Sequence, residues 1–303
     1  MSRHPIIVGL GEVLWDMLPA GRQLGGAPAN FAYHASALGA EGRLVSRVGD
    51  DEDGREILAR LTAQGLSTAT VSLDAEHATG LVDVTLGADG QPQYTIREDA
   101  AWDFLAANEV ALEAVAEAEA ICFGSLAQRA PVSRAGVHRL LAAAPPQALR
   151  IFDVNLRLHY FSKEVLAQSL AVASVLKLND AELPVLAGLF GFVQEPRAAI
   201  LQFAQEFALS TVALTRGAEG SLLWREGEWA EDGGEPTTVV DTVGAGDSFT
   251  AALTLGLLRG ERLEVINEQA NRVARFVCGC HGATPVLPPE LVRSFDLSPP
   301  LTS

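Results

Sequence analysis

The sequence predicts an α/β fold in three layers, in which a central, mostly parallel sheet lies between two layers of helices. Between residues 120 and 179, short apolar segments alternate with helical ones, which is typical of a parallel sheet covered by helices. A stretch of alternating polarity at residues 79–100 predicts an inserted β-hairpin instead. The 303 residues, 48% of them hydrophobic, are enough for one large core.

The composition argues against several classes of protein. The formal net charge is −16, whereas nucleic acids and anionic membranes attract an excess of Lys and Arg. Three cysteines, Cys122, Cys278 and Cys280, form no even disulfide framework and indicate a reducing compartment. The apolar run Ile6–Leu10 is too short for a signal peptide or a membrane span. We therefore expect a cytoplasmic protein that binds neither nucleic acid nor membrane.

The first strand is predicted at Pro5–Leu10. It contains Gly9 and leads directly into Gly11, a spacing that would suit a dinucleotide-binding turn. Leu14, however, stands where the third glycine of that motif is required. A nicotinamide-dependent oxidoreductase is therefore the weaker alternative from a different class of enzyme.

A pair of glycines, Gly25 and Gly26, precedes the helical stretch Ala32–Leu38. Glycine allows a ligand to approach the backbone closely. Asn30 carries both a donor and an acceptor, as the binding of sugar hydroxyls requires. A tight turn with a helix cap would account for the same residues.

An acidic turn at Asp50–Asp53 lies between a strand that begins near Leu44 and a helix that extends to Leu61. The turn lacks the residue order of a calcium-binding loop, so capping of the helix by Asp51 or Asp53 is the better interpretation.

The inserted hairpin is predicted from two alternating segments, Leu81–Leu86 and Pro92–Arg97, on either side of Gly87–Gly90. Such an element can cover an active site or form an oligomer contact.

Polar groups follow three predicted strands at their carboxyl ends, where ligands bind in parallel sheets. They are Asp153-x-Asn-x-Arg157, Asn179-x-x-Glu182 and Thr215 with the glycines Gly217 and Gly220. One helical turn separates Asn179 from Glu182, so their side chains can share a face. A capping box and a plain turn are the alternatives for the second and third groups.

The segment Asp241-Thr-Val-Gly-Ala-Gly-Asp-Ser-Phe249 connects Thr237–Val240, predicted as a strand end, to an apolar helix. Backbone N–H groups at a helix N-terminus have no intrahelical acceptor, so those of Ala245, Gly246 and Asp247 can bind an anion such as phosphate. Asp247 would then serve as a general base, a metal ligand or a helix cap.

The C-terminal region carries Cys278-x-Cys280-His281 after a predicted helix that contains Asn271. This cluster suggests zinc, but no second cysteine pair completes a site with four ligands, so buried thiols are the better interpretation.

Two segments resemble the signatures of the ribokinase-like (PfkB) family of sugar kinases. Asp241–Phe249 matches the C-terminal signature at every defined position, and Gly25-Gly-x-x-x-Asn30 matches the N-terminal one. The resemblance implies one ribokinase-like domain over residues 1–303, with a β-lid inserted from about 12–28 and 79–100. It also implies that the lid closes on the sugar and pairs with a second copy in a homodimer.

The resemblance further implies ATP-dependent phosphorylation of a sugar hydroxyl, with Asp247 as the base and Gly244, Ala245 and Gly246 stabilising the phosphoryl group. It assigns sugar binding to Asp16, Gly25, Gly26, Asn30, Arg97 and Arg157, and nucleotide binding to Asn179, Thr215, Gly217, Gly220 and Asn271. Mg²⁺ would be held through water near Glu182, and K⁺ near Asp241 and the Gly282-Ala283 loop.

Fructose is the expected sugar, because Gly11-Glu-x-x-x-Asp16, Ala100-Ala-Trp and Asp153-x-Asn-x-Arg157 resemble fructokinases more than ribokinases. Kinases of 2-keto-3-deoxygluconate share many of these features and are the runner-up. Tyr160-Phe161 departs from the Leu-Trp pair common in both groups. A non-catalytic sugar-binding regulator is a further alternative, but it would not need Asp247.

Overall fold

The predicted first strand lies inside a large sheet in the computed structural model, which describes residues 4–18, 21–86 and 92–295. Within these residues, in chain order, the strands are β1 (Ile6–Leu10), β2 (Leu14–Leu18), β3 (Gly21–Gly25), β4 (Glu41–Gly49), β5 (Val71–Asp74), β6 (Gly80–Leu86), β7 (Pro92–Ile96), β8 (Ala120–Phe123), β9 (Leu149–Asp153), β10 (Val175–Asn179), β11 (Thr211–Thr215), β12 (Ser221–Arg225) and β13 (Glu228–Asp232).

The helices include every one that the sequence predicted and several that it did not. In chain order they are α1 (Ala27–Ala37), α2 (Glu52–Ala63), α3 (Glu109–Ala116), α4 (Pro131–Ala143), α5 (Lys163–Val172), α6 (Glu182–Phe190), α7 (Pro196–Glu206), α8 (Ala245–Leu258), α9 (Leu263–Cys278) and α10 (Pro289–Arg293). Short 3₁₀ helices cover Ala101–Phe104, Leu126–Gln128 and Gly217–Glu219. None of these helices is long and apolar enough to cross a membrane.

The large sheet has the order β13-β12-β11-β10-β9-β8-β1-β4-β5 within the described residues. Every neighbouring pair from β11 to β5 is parallel, whereas β12 and β13 form an antiparallel edge. Parallel neighbours require crossover connections, and the helices between the strands supply them. The predicted mostly parallel sheet is confirmed.

Helices cover both faces of this sheet, as the packing of β1 shows. Val8 and Leu10 belong to an apolar cluster with α3 to α7, whereas Ile7 packs on the opposite face with α1, α8 and α9. Successive strand residues point to opposite faces, so a continuous apolar strand requires cover on both sides. The three-layer arrangement is confirmed.

The smaller sheet has the order β3-β2-β6-β7. Its strands fall within the two segments, about 12–28 and 79–100, that were assigned to the inserted β-element. The predicted hairpin pairs β6 with β7 in antiparallel register, but its turn at Gly87–Gly90 lies outside the described residues. Leu14 and Val82 of this sheet pack against Trp102 and Leu126. These contacts hold the small sheet against the rest of the protein.

Asp51 caps α2, as its sequence context predicted. Its Oδ1 atom accepts a hydrogen bond of 2.7 Å from the backbone N–H of Gly54, and Oδ2 accepts one of 2.8 Å from Thr79. The same carboxylate therefore begins a helix and holds the segment that leads into β6.

The prediction of a strand at Thr237–Val240 is wrong. This segment has no strand assignment, its residues are exposed, and the backbone N–H of Val240 bonds to the carbonyl of Cys278 at the end of α9. β-Branched residues favour extended backbone, but the backbone of this segment pairs with the end of α9 instead of with a strand.

Candidate active site

The glycine turn ends in helix α8, as predicted. Gly244 is the N-cap residue, with φ of 79°, a conformation that favours glycine. A Cβ atom at this position would lie 2.3 Å from the carbonyl oxygen of Ala283. The first turn of α8 therefore begins at Ala245, with the backbone packed tightly against the loop that follows α9.

The N–H groups of this turn are not equivalent. The Ala245 N–H donates to the carbonyl of Thr242 at 3.3 Å, a long bond that closes the turn. Gly246 lies in the first turn of the helix, where no intrahelical acceptor exists. Its N–H is the better placed of the two to bind an anion.

Asp247 does not cap the helix. The N-cap residue Gly244 has no side chain to cap α8, and the Oδ2 atom of Asp247 accepts a hydrogen bond of 2.8 Å from the side-chain amide of Asn30. Because a cap must bond to backbone N–H groups of its own helix, the capping interpretation is wrong. The carboxylate is left facing a cavity.

The environment of Asp247 raises its pKa to about 6. Burial is the largest cause, and the carboxylate of Asp153 adds to it, while the Asn30 hydrogen bond and the charges of Lys177 and Arg157 oppose it. Asp247 is therefore ionised at neutral pH, yet basic enough to accept a proton.

The first cavity has a volume of about 560 Å³ and lies between the two sheets. One wall comes from β2, β3, β6 and β7, and the other from the ends of β9 and β10 and the glycine turn. Predicted residues that line it are Asp16, Gly25, Gly26, Asn30, Arg157, Asn179, Gly244, Gly246 and Asp247. Five of the six residues assigned to sugar binding thus meet in one place.

The paired glycines are required by the packing of this wall. A Cβ atom on Gly25 would lie 2.3 Å from Oδ2 of Asp16, and one on Gly26 would lie 2.5 Å from the carbonyl oxygen of Glu12. Gly26 also has φ of 112°. The glycines therefore leave room for the Asp16 carboxylate and for the backbone of Glu12 beside α1.

Arg97 is the residue of this set that the structure does not bring to the cavity. Ile96 lines the cavity, and because neighbouring strand residues point to opposite faces, Arg97 turns away. Its exposed guanidinium pairs with Asp83 at 2.8 Å. The assignment of Arg97 to sugar binding lacks support from this geometry.

Glu12 lines the cavity, and it was named from the sequence only within the Gly11-Glu-x-x-x-Asp16 motif, without a role. It is buried at the end of the first strand segment, and within the described residues its Oε2 atom has no hydrogen-bond partner. Burial raises its pKa to about 7, and that of Asp16 to about 6, while Arg157 lowers both. The available signal was a glutamate two positions after an apolar strand.

The second cavity has a volume of about 790 Å³ and lies across the glycine turn from the first. All five residues assigned to nucleotide binding line it: Asn179, Thr215, Gly217, Gly220 and Asn271. Val239, Phe249 and Ala274 add apolar surface. A flat heterocycle with phosphates would find both apolar and polar contacts here.

The two cavities meet at four shared residues, which are Lys177, Asn179, Thr242 and Gly246. The carboxylate of Asp247 lies on the first side of this junction, and the N–H of Gly246 lies at it. A group moving from one cavity to the other would therefore pass the helix N-terminus.

Lys177 and Asp153 form a buried ion pair at this junction. The Nζ atom lies 3.1 Å from the Asp153 carboxylate, which also accepts a 3.0 Å hydrogen bond from Thr250. Burial lowers the pKa of Lys177, but the carboxylates of Asp153, Glu182 and Asp247 together raise it above its usual value. A lysine inside an apolar strand was the sequence signal, and it was not used.

Asn179 and Glu182 form a reciprocal capping box, the alternative that the sequence left open. Asn179 Oδ1 accepts from the Glu182 N–H, and Glu182 Oε2 accepts from the Asn179 N–H, both at 2.9 Å. Glu182 Oε1 accepts from Leu156. Each oxygen of Glu182 already accepts one backbone hydrogen bond, which is compatible with the predicted contact to Mg²⁺ through water.

Within residues 4–18, 21–86 and 92–295, no group of three or more His, Cys, Asp or Glu side chains is arranged to hold a metal ion. Mg²⁺ in nucleotide sites usually keeps several waters and takes its remaining ligands from phosphates.

Asp241 links the glycine turn to the loop that follows α9. Its Oδ1 atom accepts from the Val243 N–H at 3.0 Å, and Oδ2 accepts from the Gly282 N–H at 3.2 Å. Two backbone donors thus already stabilise this carboxylate. The predicted role of Asp241 in K⁺ binding stays a prediction.

Comparison with known proteins agrees with this geometry. The sequence profile of the pfkB family carbohydrate kinase matches residues 20–290. The chain is 30% identical to a fructokinase of Solanum tuberosum, with 94% of this chain and 93% of that protein covered. It is also 30% identical to a fructokinase of Escherichia coli, with 92% and 95% covered.

A solved structure shares the same architecture. An uncharacterized sugar kinase from Pyrococcus horikoshii, in complex with ATP, superposes with a TM-score of 0.82 at 28% identity, over 95% of this chain and 99% of that one. The family signature, the fold and the two adjoining cavities lead to one assignment. The chain belongs to the PfkB family of carbohydrate kinases.

Proposed function

We propose that this sugar kinase transfers the γ-phosphoryl group of ATP to a hydroxyl of fructose, with Asp247 as the general base. The observation that carries the proposal is the place of Asp247, which lies in the first cavity next to Gly246 at its junction with the second. Sugar and nucleotide in separate cavities would meet only here.

In this reaction the sugar hydroxyl oxygen bonds to the γ-phosphorus, and the bond from that phosphorus to the bridging oxygen of ADP breaks. Asp247 takes the hydroxyl proton. The N–H of Gly246, assisted by Gly244 and Ala245, stabilises negative charge on the transferred group. Since the transition state is loose, most of the rate gain comes from positioning and electrostatics.

The nucleotide would occupy the second cavity, with its phosphates toward Gly246 and its base near Val239 and Asn271. When bound with the nucleotide, Mg²⁺ supplies positive charge to the phosphates. The side-chain oxygen of Asn179, at the junction, and the buried Glu182 would hold its water shell. K⁺ near Asp241 would add order to the turn.

The sugar would occupy the first cavity, where Asp16, Asn30 and Arg157 offer hydrogen-bonding groups around Gly25 and Gly26. An ionised carboxylate binds sugar hydroxyls purely as an acceptor, and the positive charge of Arg157 favours that form of Asp16. The two relatives named fructokinase support fructose as the acceptor.

One observation favours a second candidate, an acidic sugar such as 2-keto-3-deoxygluconate. Arg157 lines the cavity, is exposed, and its hydrogen bond goes to the carbonyl of Leu156. A guanidinium in a sugar cavity would suit a substrate carboxylate. Fructose offers no such group.

We also propose that residues 1–303 act as one kinase domain and that the small sheet closes over the sugar. That sheet contributes Leu14, Asp16, Val82 and Ile96 to the cavity wall, so its movement would admit or exclude water. Its exposed Met17 supports the further proposal that the sheet pairs with a second copy. Size-exclusion chromatography with light scattering measures that state.

The test of the function is ADP release from ATP with a panel of sugars. We expect fructose to give the highest kcat/KM, and no ADP release above background without a sugar. Faster turnover of 2-keto-3-deoxygluconate, ribose or adenosine would overturn the choice of fructose. Binding of NAD(H) with no ATP turnover on any sugar would overturn the kinase mechanism.

A further inference from the structure

Lys177 lies at an uncommon position for a buried lysine. It is in β10 directly opposite Asp153 in β9, and the side chains of Lys177 and Asp153 are buried, with 7% and 8% of their surface exposed. An ion pair that serves only the fold would be enclosed by the core. This one lies in the wall of both cavities, where they meet.

The distance to Gly246 shows which way the ammonium group faces. A Cβ atom placed on Gly246 would lie 3.0 Å from Nζ of Lys177. The space that glycine leaves open at the first turn of α8 is therefore bounded by this nitrogen. A charge at this point adds directly to the field of the helix N-terminus.

The hydrogen bonds of Lys177 leave one donor available. An ammonium group has three N–H donors, and the two oxygens of Asp153 take at most two of them. Within the described part of the chain no other acceptor is within hydrogen-bonding distance of Nζ. Thr250 holds Asp153 from the other side, so the pair has a fixed orientation.

We propose that Lys177 is a further catalytic residue, whose ammonium group donates a hydrogen bond to the phosphoryl group as it crosses between the cavities. The inference rests on the proposed function, because it requires phosphoryl transfer at this junction. The bonds that form and break are those given above, and Lys177 keeps its proton throughout. Its contribution is a positioned positive charge.

A structural role predicts a different result on substitution. If Lys177 only neutralised Asp153, removing both charges together would restore a normal enzyme. If Lys177 contacts the transferred group, the loss persists after Asp153 is neutralised. Removal of one positioned donor to a transition state costs typically about 10²- to 10³-fold in kcat.

The experiment compares Lys177→Met, the double variant Lys177→Met with Asp153→Asn, and Thr250→Val. The single variant leaves the Asp153 carboxylate buried without a partner, and such a change can prevent folding. The double variant removes both charges and keeps the test valid. Thr250→Val disturbs the same ion pair but keeps the ammonium group, which makes it the matched control.

Three quantities are measured for each variant: kcat with the best sugar of the panel, the Kd values of ATP and of that sugar, and the Kd of ADP with aluminium fluoride in the presence of the sugar. We expect the double variant to lose about 10²-fold or more in kcat, with both substrate Kd values within about threefold of wild type. Wild type should bind ADP with aluminium fluoride more tightly than it binds ATP, and the double variant should lose this difference. Thr250→Val should keep kcat within about threefold.

A double variant with more than about a tenth of wild-type kcat would overturn the proposal, and so would an equal loss in Thr250→Val. A wild-type protein that turns over no sugar would instead overturn the proposed function. If another sugar replaces fructose, the test of Lys177 is run with that sugar.

Discussion

The side-chain amide of Asn30 donates a hydrogen bond of 2.8 Å to the carboxylate of Asp247, across 217 positions of the sequence. Asn30 belongs to the helix that follows the paired glycines, and Asp247 to the first turn of α8. The residue that would bind the sugar thus also orients the carboxylate that would act on it. The two signature segments form one site through this contact.

Asp247→Asn should fold and lose about 10²- to 10⁴-fold in kcat, because the amide cannot accept the hydroxyl proton. The measurement is kcat with ATP and the best sugar. Asp50→Asn, a substitution of an exposed carboxylate, is the control and should leave kcat unchanged. A kcat above about a tenth of wild type in Asp247→Asn would remove the base assignment.

The stability of Asp247→Asn should be equal to or higher than that of wild type at pH 7. The folded state raises the pKa of Asp247 from 3.8 to about 6, so it binds the proton more tightly than the unfolded chain does. The contribution of Asp247 to the free energy of unfolding is therefore greatest below pH 3.8, and it is lost as the pH rises through about 6. Thermal melts at pH 4 and pH 7 would show the difference only at the higher pH.

The pH dependence of kcat/KM should show an acidic limb near pH 6, since only the ionised Asp247 accepts a proton. Below that pH the rate should fall about tenfold per pH unit. Asn30→Ala removes a hydrogen bond that lowers the pKa of Asp247. The acidic limb of kcat/KM in this variant should therefore move to higher pH. An unchanged limb in Asn30→Ala would show that another group controls the profile.

Asp16→Ala should weaken sugar binding about ten- to hundredfold, because a hydrogen bond to a charged group contributes roughly 1.5 to 3 kcal/mol. Arg97→Ala is the matched comparison. Its guanidinium pairs with Asp83 away from the cavity, so sugar binding should change by less than about threefold. Isothermal titration with the best sugar measures both, and a large effect in Arg97→Ala would restore its predicted role.

K⁺ should raise kcat if a cation near Asp241 orders the glycine turn. The carboxylate already accepts two backbone N–H groups, so we expect a moderate effect, about two- to tenfold. Turnover is compared in potassium, sodium and tetramethylammonium buffers of equal ionic strength. Equal rates in all three would count against a cation site.

The sequence by itself determined the α/β class, the glycine turn with its helix, the paired glycines and the polar groups at strand ends. These are local signals, because periodicity, glycine spacing and capping residues act over a few neighbouring positions. The cap by Asp51 and the start of α8 at Ala245 were accessible for that reason. The family resemblance then assigned these residues to sugar binding, nucleotide binding or catalysis.

Only the tertiary structure decided which of these residues meet. The register of β10 on β9 sets Lys177 opposite Asp153, the pleat of the small sheet turns Arg97 away from the cavity, and the approach of α1 to α8 joins Asn30 to Asp247. Each of these three arrangements depends on which strands and helices become neighbours. The burial of whole strand and helix faces decides which elements are neighbours, and adjacent residues in the sequence do not. A one-residue change of register would reverse every such side chain, and no local pattern in the chain reports it.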